Sequence, residues 1–219
     1  MKIFVAVPTY DRKLCVETVI ALLAEQAAAR KSGDHLDFWF VPGISLVTVA
    51  RNQAVVHFLE SDCERLFFLD ADIAWQQGDL LKLCRKPAEF VGGAYRFKSD
   101  PEDYPVLWPP GEKISTDRNG LLSVRGLPAG FLCLARTVFP KLKAKFPGRT
   151  YKWAGKTHDA YFHASFYDGE LTGEDTAFCS DWIAVGGEVF LDPTLALTHV
   201  DGSRAYTGCI GEWLKRRDS

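Results

Sequence analysis

Arg65-Leu66-Phe67-Phe68-Leu69-Asp70-Ala71-Asp72 is the stretch on which the fold turns. An apolar run bounded by carboxylates reads as a buried strand, Arg65 to Leu69, that leaves the core at Asp70. In extended chain, residues two apart point the same way, so Asp70 and Asp72 are expected to aim at one point while Ala71 points elsewhere. Two like charges held so close repel, and a divalent cation beside them relieves the repulsion. Hard carboxylate oxygens suit Mn²⁺ or Mg²⁺, which keep waters and take further ligands from substrate phosphates. Such an ion would neutralise a departing diphosphate. An isolated D-x-D has a plainer reading too: turn formers and the cap of a short helix over Gly78 to Leu83.

Upstream, Ile3 to Val7 is an apolar, β-rich run stopped by Pro8-Thr9-Tyr10-Asp11. A helix is expected from about Lys13 to Arg30, with Val16, Val19, Ile20, Leu22 and Leu23 at helical spacing and Gly33 ending it. Leu36 to Val41 reads as a second strand and Ser45 to Glu60 as a second helix. Strands alternating with helices imply an α/β fold, with a mostly parallel central sheet flanked by helices. Ligands of such sheets bind beyond the carboxyl ends of the strands. Thr9-Tyr10-Asp11, the stretch after Val41, and Asp70 to Asp72 all fall at that edge.

Downstream the pattern is less regular. Strand-like runs occur at Phe90 to Tyr95, Pro105 to Trp108, Leu121 to Val124 and Ala129 to Leu134, with a helix near Val138 to Phe146. Pro147 to Thr172 shows no period and reads as a long loop of the lid type. A late helix over Glu174 to Val185 precedes strand-like runs at Glu188 to Leu191 and Leu195 to Val200. No repeat or linker divides the 219 residues, so one domain is expected over 1–219.

Composition narrows the function classes. The net charge of −2 shows no basic footprint for nucleic acid. The basic cluster Lys215-Arg216-Arg217 reads as a solvated helix end. No run approaches the 18 or so apolar residues of a membrane span, and the N-terminal apolar run is too short for a signal peptide. Cys15, Cys63, Cys84, Cys133, Cys179 and Cys209 are scattered and mostly apolar in context, which points to a reducing, cytoplasmic setting. Walker, G-x-G-x-x-G and G-x-S-x-G patterns are absent, against ATPase, dinucleotide oxidoreductase and α/β-hydrolase readings. A nucleotidyltransferase would normally carry a glycine-rich phosphate loop near the first strand, where Val7-Pro8-Thr9-Tyr10 stands.

Taken in order, Val5-Ala6-Val7-Pro8-Thr9-Tyr10, Ala50-Arg51-Asn52-Gln53-Ala54 and Phe68-Leu69-Asp70-Ala71-Asp72 resemble the opening half of a GT-A (Rossmann-like) glycosyltransferase, family 2 and its relatives. The resemblance implies a donor half over 1–100 and an acceptor half over 101–219. It places Pro8, Thr9 and Tyr10 beside the base of a nucleoside-diphosphate sugar, with Arg51 and Asn52 on the nucleotide. Asp70 and Asp72 would bind donor and metal, with Asp72 the direct ligand.

Gly92-Gly93-Ala94-Tyr95 and Leu127-Pro128-Ala129-Gly130-Phe131 resemble the region shaping the sugar and acceptor pocket, where Gly130 falls. Gly173-Glu174-Asp175-Thr176 resembles the acidic motif whose carboxylate deprotonates the acceptor in inverting members, making Asp175 the expected base and Glu174 its fallback. His199, after Leu191-Asp192-Pro193, resembles the histidine that completes the metal site. Trp108 and Trp153 are candidate acceptor platforms, since aromatic faces stack on sugars.

The resemblance thus implies a metal-dependent, hexosyltransferase-type enzyme moving a single sugar. UDP- or GDP-linked donors are the family expectation. The acceptor could be a glycan, a lipid-linked sugar, a protein or a modified nucleic acid. A retaining GT-A transferase and a non-catalytic nucleotide- or carbohydrate-binding module stay open.

Overall fold

The computed structural model describes residues 1–111, 114–167 and 170–217. Its first half alternates as the periodicity predicts: β1 (Lys2–Thr9), α1 (Val16–Ser32), β2 (His35–Pro42), α2 (Val47–Glu60), β3 (Arg65–Leu69), β4 (Ile73–Ala74), α3 (Asp79–Cys84) and β5 (Phe90–Gly92). The second half holds β6 (Leu122–Val124), β7 (Phe131–Ala135), α4 (Val138–Lys145), β8 (Thr150–Trp153), β9 (Lys156–Asp159), β10 (Ser165–Tyr167) and β11 (Glu170–Thr172). It closes with α5 (Glu174–Ala184), β12 (Val189–Leu191), β13 (Ala196–Asp201), β14 (Arg204–Cys209) and α6 (Ile210–Arg217).

Seven strands form the central sheet in the order β2-β1-β3-β7-β5-β12-β6. Five run the same way; β7 and β6 are antiparallel to their neighbours. Strands from both halves of the sequence therefore alternate within one sheet. Alternate residues of a strand face opposite sides. Ile3, Val5, Val7, Phe67 and Leu69 accordingly share one core with the buried residues of α1 and α3. Phe4, Ala6, Leu66 and Phe68 share the other with α2, α4 and α5. Helices cover both faces, and the parallel strands end together at one edge.

Two expectations are corrected and one is refined. Helix α1 forms, capped by Gly33 in the left-handed region (φ 73°), but of its five apolar positions only Leu22 is buried against the sheet. Val16, Ile20 and Leu23 are more than 60% exposed, whereas Thr18, Ala21, Leu22, Glu25 and Ala29 are buried. Glu25 explains the choice: its carboxylate accepts the Trp75 indole N–H (3.1 Å) and the backbone N–H groups of Gly78 (2.7 Å) and Leu81 (3.0 Å), capping the start of α3. Segment 147–172 contains two antiparallel strand pairs, β8–β9 and β10–β11, where a loop is expected. Strands of three or four residues are too short to show a period; the signal was Ala154-Gly155, whose positive φ angles (48° and 77°) make the β8–β9 turn. Pro105 to Trp108 forms no strand, only an isolated bridge from Leu107 to Gly126.

A second sheet, β14-β13-β4, matters for the site. It pairs His199 with Ile73, directly after the Asp70-Ala71-Asp72 turn. Among the described residues no helix is long and apolar enough to cross a membrane.

Candidate active site

A cleft of about 580 Å³ opens beyond the carboxyl ends of β1, β2 and β3. Its walls are Pro8 to Asp11 and Lys13 to Cys15 after β1, and Ile44, Ser45, Val47, Ala50 and Arg51 around the start of α2; Asp70 to Asp72 after β3 completes it. The three segments placed at this edge from sequence meet in one cavity. Backbone bonds hold them together. Cys15 N–H donates to the Ala71 carbonyl (2.9 Å), and Gly43 N–H is shared between the carbonyls of Thr9 and Tyr10 (3.3 and 3.2 Å). The Thr9 hydroxyl is spent on the Lys13 carbonyl (2.7 Å), which closes the first loop. Tyr10 projects from it, 66% exposed.

The acidic pair divides its partners. Ile73 N–H donates to the Asp70 carbonyl (3.3 Å), so the chain turns at once after β3 and the extended-chain argument fails there. Asp70 turns to α2: Arg51 Nη2 donates to its Oδ1 (3.1 Å) and the Tyr95 hydroxyl to its Oδ2 (3.1 Å). Asp72 Oδ2 instead accepts Lys98 Nζ (2.6 Å) and lies 3.4 Å from His199 Nε2. Burial would raise the Asp72 carboxyl, but His199 and Lys98 outweigh it and hold it below the usual carboxylate range.

Arg51 is the hub of the cleft floor. It is 4% exposed, and Nη1 donates to Glu174 Oε1 (2.7 Å) while Nη2 holds Asp70. Burial would weaken the guanidinium's proton affinity; the charges of Asp70 and Glu174 reverse that, so it stays charged. Its Nε is buried with no acceptor among the described residues. Tyr95 stays a phenol, because burial and then the Asp70 charge push its ionisation far up.

Gly130 is explained by the same network: a methyl there would overlap Asp70 Oδ2 and the Tyr95 hydroxyl. Asp175, in the first turn of α5, accepts the Thr176 N–H (2.7 Å), and its charge is felt by both Arg51 and Tyr95.

Asn52 is placed otherwise than expected. It lies 3% exposed outside the cleft wall, donating to the Phe162 carbonyl (2.8 Å) and accepting the N–H groups of Tyr161 and Phe162 (2.9 Å each). Three backbone bonds, one donated and two accepted, commit its amide, so it anchors the 161–162 segment. Trp108 packs on the larger core, and Trp153 stands 38% exposed at the β8–β9 turn; neither lines the cleft. Lys98 carried no sequence signal, since a lone lysine in a polar loop reads as a solvated charge. Tyr95 lies in the Gly92-Gly93-Ala94-Tyr95 motif, but its tie to Asp70 is a tertiary contact.

A divalent ion fits one part of this arrangement. His199 Nδ1 faces the Arg96 carbonyl (3.0 Å), a group that only accepts, so Nδ1 carries the proton and Nε2 is turned toward Asp72. An imidazole nitrogen and a carboxylate oxygen facing each other supply two of the roughly six ligands such an ion takes. Among the described residues no three His, Cys, Asp or Glu side chains form a ready cage. Water and a phosphate would supply the rest.

No protein-family model matches the chain, and no curated protein does. Solved structures do match. The protein A197 from STIV aligns at TM-score 0.61 and 21% identity, over 94% of this chain and 90% of that one. A Drosophila β-1,4-galactosyltransferase 7 variant, solved with manganese, UDP-Gal and xylobiose, aligns at TM-score 0.50 and 13% identity, over 98% of this chain and 73% of that one. At these identities what is shared is the fold, and this chain carries a GT-A-like α/β architecture.

Proposed function

We propose that the chain is a glycosyltransferase that takes a sugar from a nucleoside-diphosphate donor, UDP- or GDP-linked, held in the β1–β2–β3 cleft. The observation that carries this is the cleft floor itself: a buried Arg51 clamped between Asp70 and Glu174, beside a separate Asp72–His199 pair, at the ligand edge of a parallel sheet. The galactosyltransferase neighbour, solved with manganese and UDP-Gal, is in keeping with it. Pro8, Thr9 and Tyr10 would border the base. Asp72 and His199 would hold Mn²⁺ or Mg²⁺, whose chemistry is to neutralise the departing diphosphate.

Arg51, fixed by two carboxylates, orients Asp70 toward the donor rather than neutralising phosphate by itself. Glu174 is engaged by Arg51, which leaves Asp175 as the proton acceptor for the acceptor hydroxyl in an inverting transfer. Residues 1–100 would form the donor half and 101–219 the acceptor half of one domain. All six cysteines are free thiols, which suits a reducing, cytoplasmic setting.

Thermal unfolding with UDP, GDP and their sugars, with and without Mn²⁺, tests the proposal. A nucleotide at about 100 times its Kd should stabilise by roughly 2.7 kcal/mol, on the order of 5–11 °C for a chain of this size. The shift should need Mn²⁺ for its full size, shrink in Asp72→Ala and persist in Asp175→Asn. No shift from any nucleotide in the wild type would sink the donor-site reading.

A further inference from the structure

The oxygen of Asp72 that faces His199 already holds a cation. Lys98 Nζ lies 2.6 Å from Asp72 Oδ2, and His199 Nε2 lies 3.4 Å from the same atom. The ordinary account of such a contact is a surface ion pair of little consequence. Three features speak against that here.

First, the pair is half-sheltered: Lys98 and Asp72 are each about one third exposed, and His199 is 16% exposed. Second, the loop presenting Lys98 is pinned on both sides. The Arg96 carbonyl accepts His199 Nδ1 (3.0 Å), and Phe97 N–H donates to the Asp103 carbonyl (2.9 Å). The Arg96 guanidinium closes the turn on the Ser99 carbonyl (3.0 Å) and Asp100 Oδ1 (2.8 Å). Third, one segment supplies both cation and imidazole anchor, so Lys98 and the orientation of His199 are set together. An ammonium is a compact, hard monovalent cation that seeks the same oxygens a divalent ion would.

We propose that Lys98 is a resident counter-cation of the Asp72–His199 pair, which a divalent ion must displace from Asp72 Oδ2 before it can load. The inference rests on reading Asp72 and His199 as the metal pair of the donor cleft. It makes Lys98 a positioning residue that sets how readily the site takes metal: the lysine neutralises Asp72 when no ion is bound and discourages loading before donor arrives.

The test is Mn²⁺ binding to the full chain without nucleotide, followed by the loss of the free-ion electron paramagnetic resonance signal. Lys98→Met and Lys98→Ala are expected to bind Mn²⁺ about tenfold more tightly than the wild type, on the order of the loss of one competing contact charge. Lys98→Arg should show no such gain. Lys82→Met, which removes an equal charge from a lysine bonded to Thr194, should change affinity less than twofold. Adding Asp72→Asn to Lys98→Met should abolish the gain.

Equal Mn²⁺ affinities in wild type and Lys98→Met, or no measurable binding in either, would overturn the inference. Circular dichroism of each variant separates misfolding from a local effect, and Lys98→Ala provides the answer if Lys98→Met misfolds. The nucleotide shifts described above are read independently. Tighter Mn²⁺ in Lys98→Met without any nucleotide shift would retain the lysine's role and discard the donor; a nucleotide shift with unchanged Mn²⁺ affinity would do the reverse.

Discussion

At the scale of single residues, the cleft depends on side chains whose partners are already committed. Asp70 has both oxygens occupied, by Arg51 and Tyr95, and Gly130 leaves the room in which that bonding happens. Gly130→Ala should therefore act on the site as well as on the fold. Either Asp70 or Tyr95 has to move, at a cost of about 1–3 kcal/mol for overpacking, and nucleotide affinity should fall along with the urea midpoint. An affinity unchanged in a protein of unchanged stability would show that the Asp70–Tyr95 contact yields without consequence. From sequence Gly130 is legible only as part of a motif. Its physical reason, close approach of a carboxylate and a phenol from two other elements, exists only in three dimensions.

At the scale of elements, helix α1 teaches a different lesson. Its apolar residues have helical spacing and the helix forms where expected, yet most of the stripe points away from the sheet. Apart from Leu22, the buried side is small or polar: it lies close to the sheet and carries Glu25 to the start of α3. Periodicity reports that a helix has a face; it does not report which face the tertiary structure uses.

Ile20→Gln and Leu23→Gln should each change unfolding free energy by no more than about 0.5 kcal/mol, as for surface positions. Leu22→Ala, at a buried position of the same helix, should cost about 2–5 kcal/mol. Chemical unfolding of the three variants decides the matter, and a large loss at Ile20 would mean that α1 packs by its apolar stripe after all. The two strand pairs within 150–172 carry no periodic sequence signal for a complementary reason: strands of three or four residues, mostly polar, hold at most two strand periods, too few to stand out from a loop.

For the whole molecule, pH reports how its charges are paired. Burial alone would raise the carboxyls of Asp34, Asp72, Asp181 and Asp192, but in each it is outweighed. Ser32, the N-terminal amine and Arg85 act on Asp34; His199 and Lys98 on Asp72; His163 and Arg149 on Asp181; Thr194 and Lys86 on Asp192. All four therefore lie below their unfolded value, near 3.9 in model peptides. A depressed carboxyl contributes stability above its unfolded value and loses it as pH falls through its folded value. Asp79, raised by burial, runs the other way but is one group against four. The urea midpoint should fall steadily from about pH 4 downward, and Asp72→Asn, less stable at neutral pH, should show a shallower acid limb. A midpoint that holds level from pH 5 to pH 3 would contradict these pairings.

What the sequence determined by itself is local. The alternation of β1, α1, β2, α2 and β3 follows from apolar period and turn residues, and the parallel sheet follows from the alternation. The sheet in turn places Thr9 to Asp11, the residues after Val41, and Asp70 to Asp72 at one edge, because ligand edges of such sheets lie where the strands end. What only the tertiary structure decided is which charge meets which. Arg51, Tyr95 and Lys98 reach the acidic pair from 19 to 26 residues away, Arg51 joins Glu174 across 123, and His199 arrives on a separate sheet paired to β4. Asn52, beside Arg51 in the chain, faces another segment altogether. Adjacent helix positions point about a quarter-turn or more apart, and an ion pair is a contact between elements, so no local pattern in either partner encodes it.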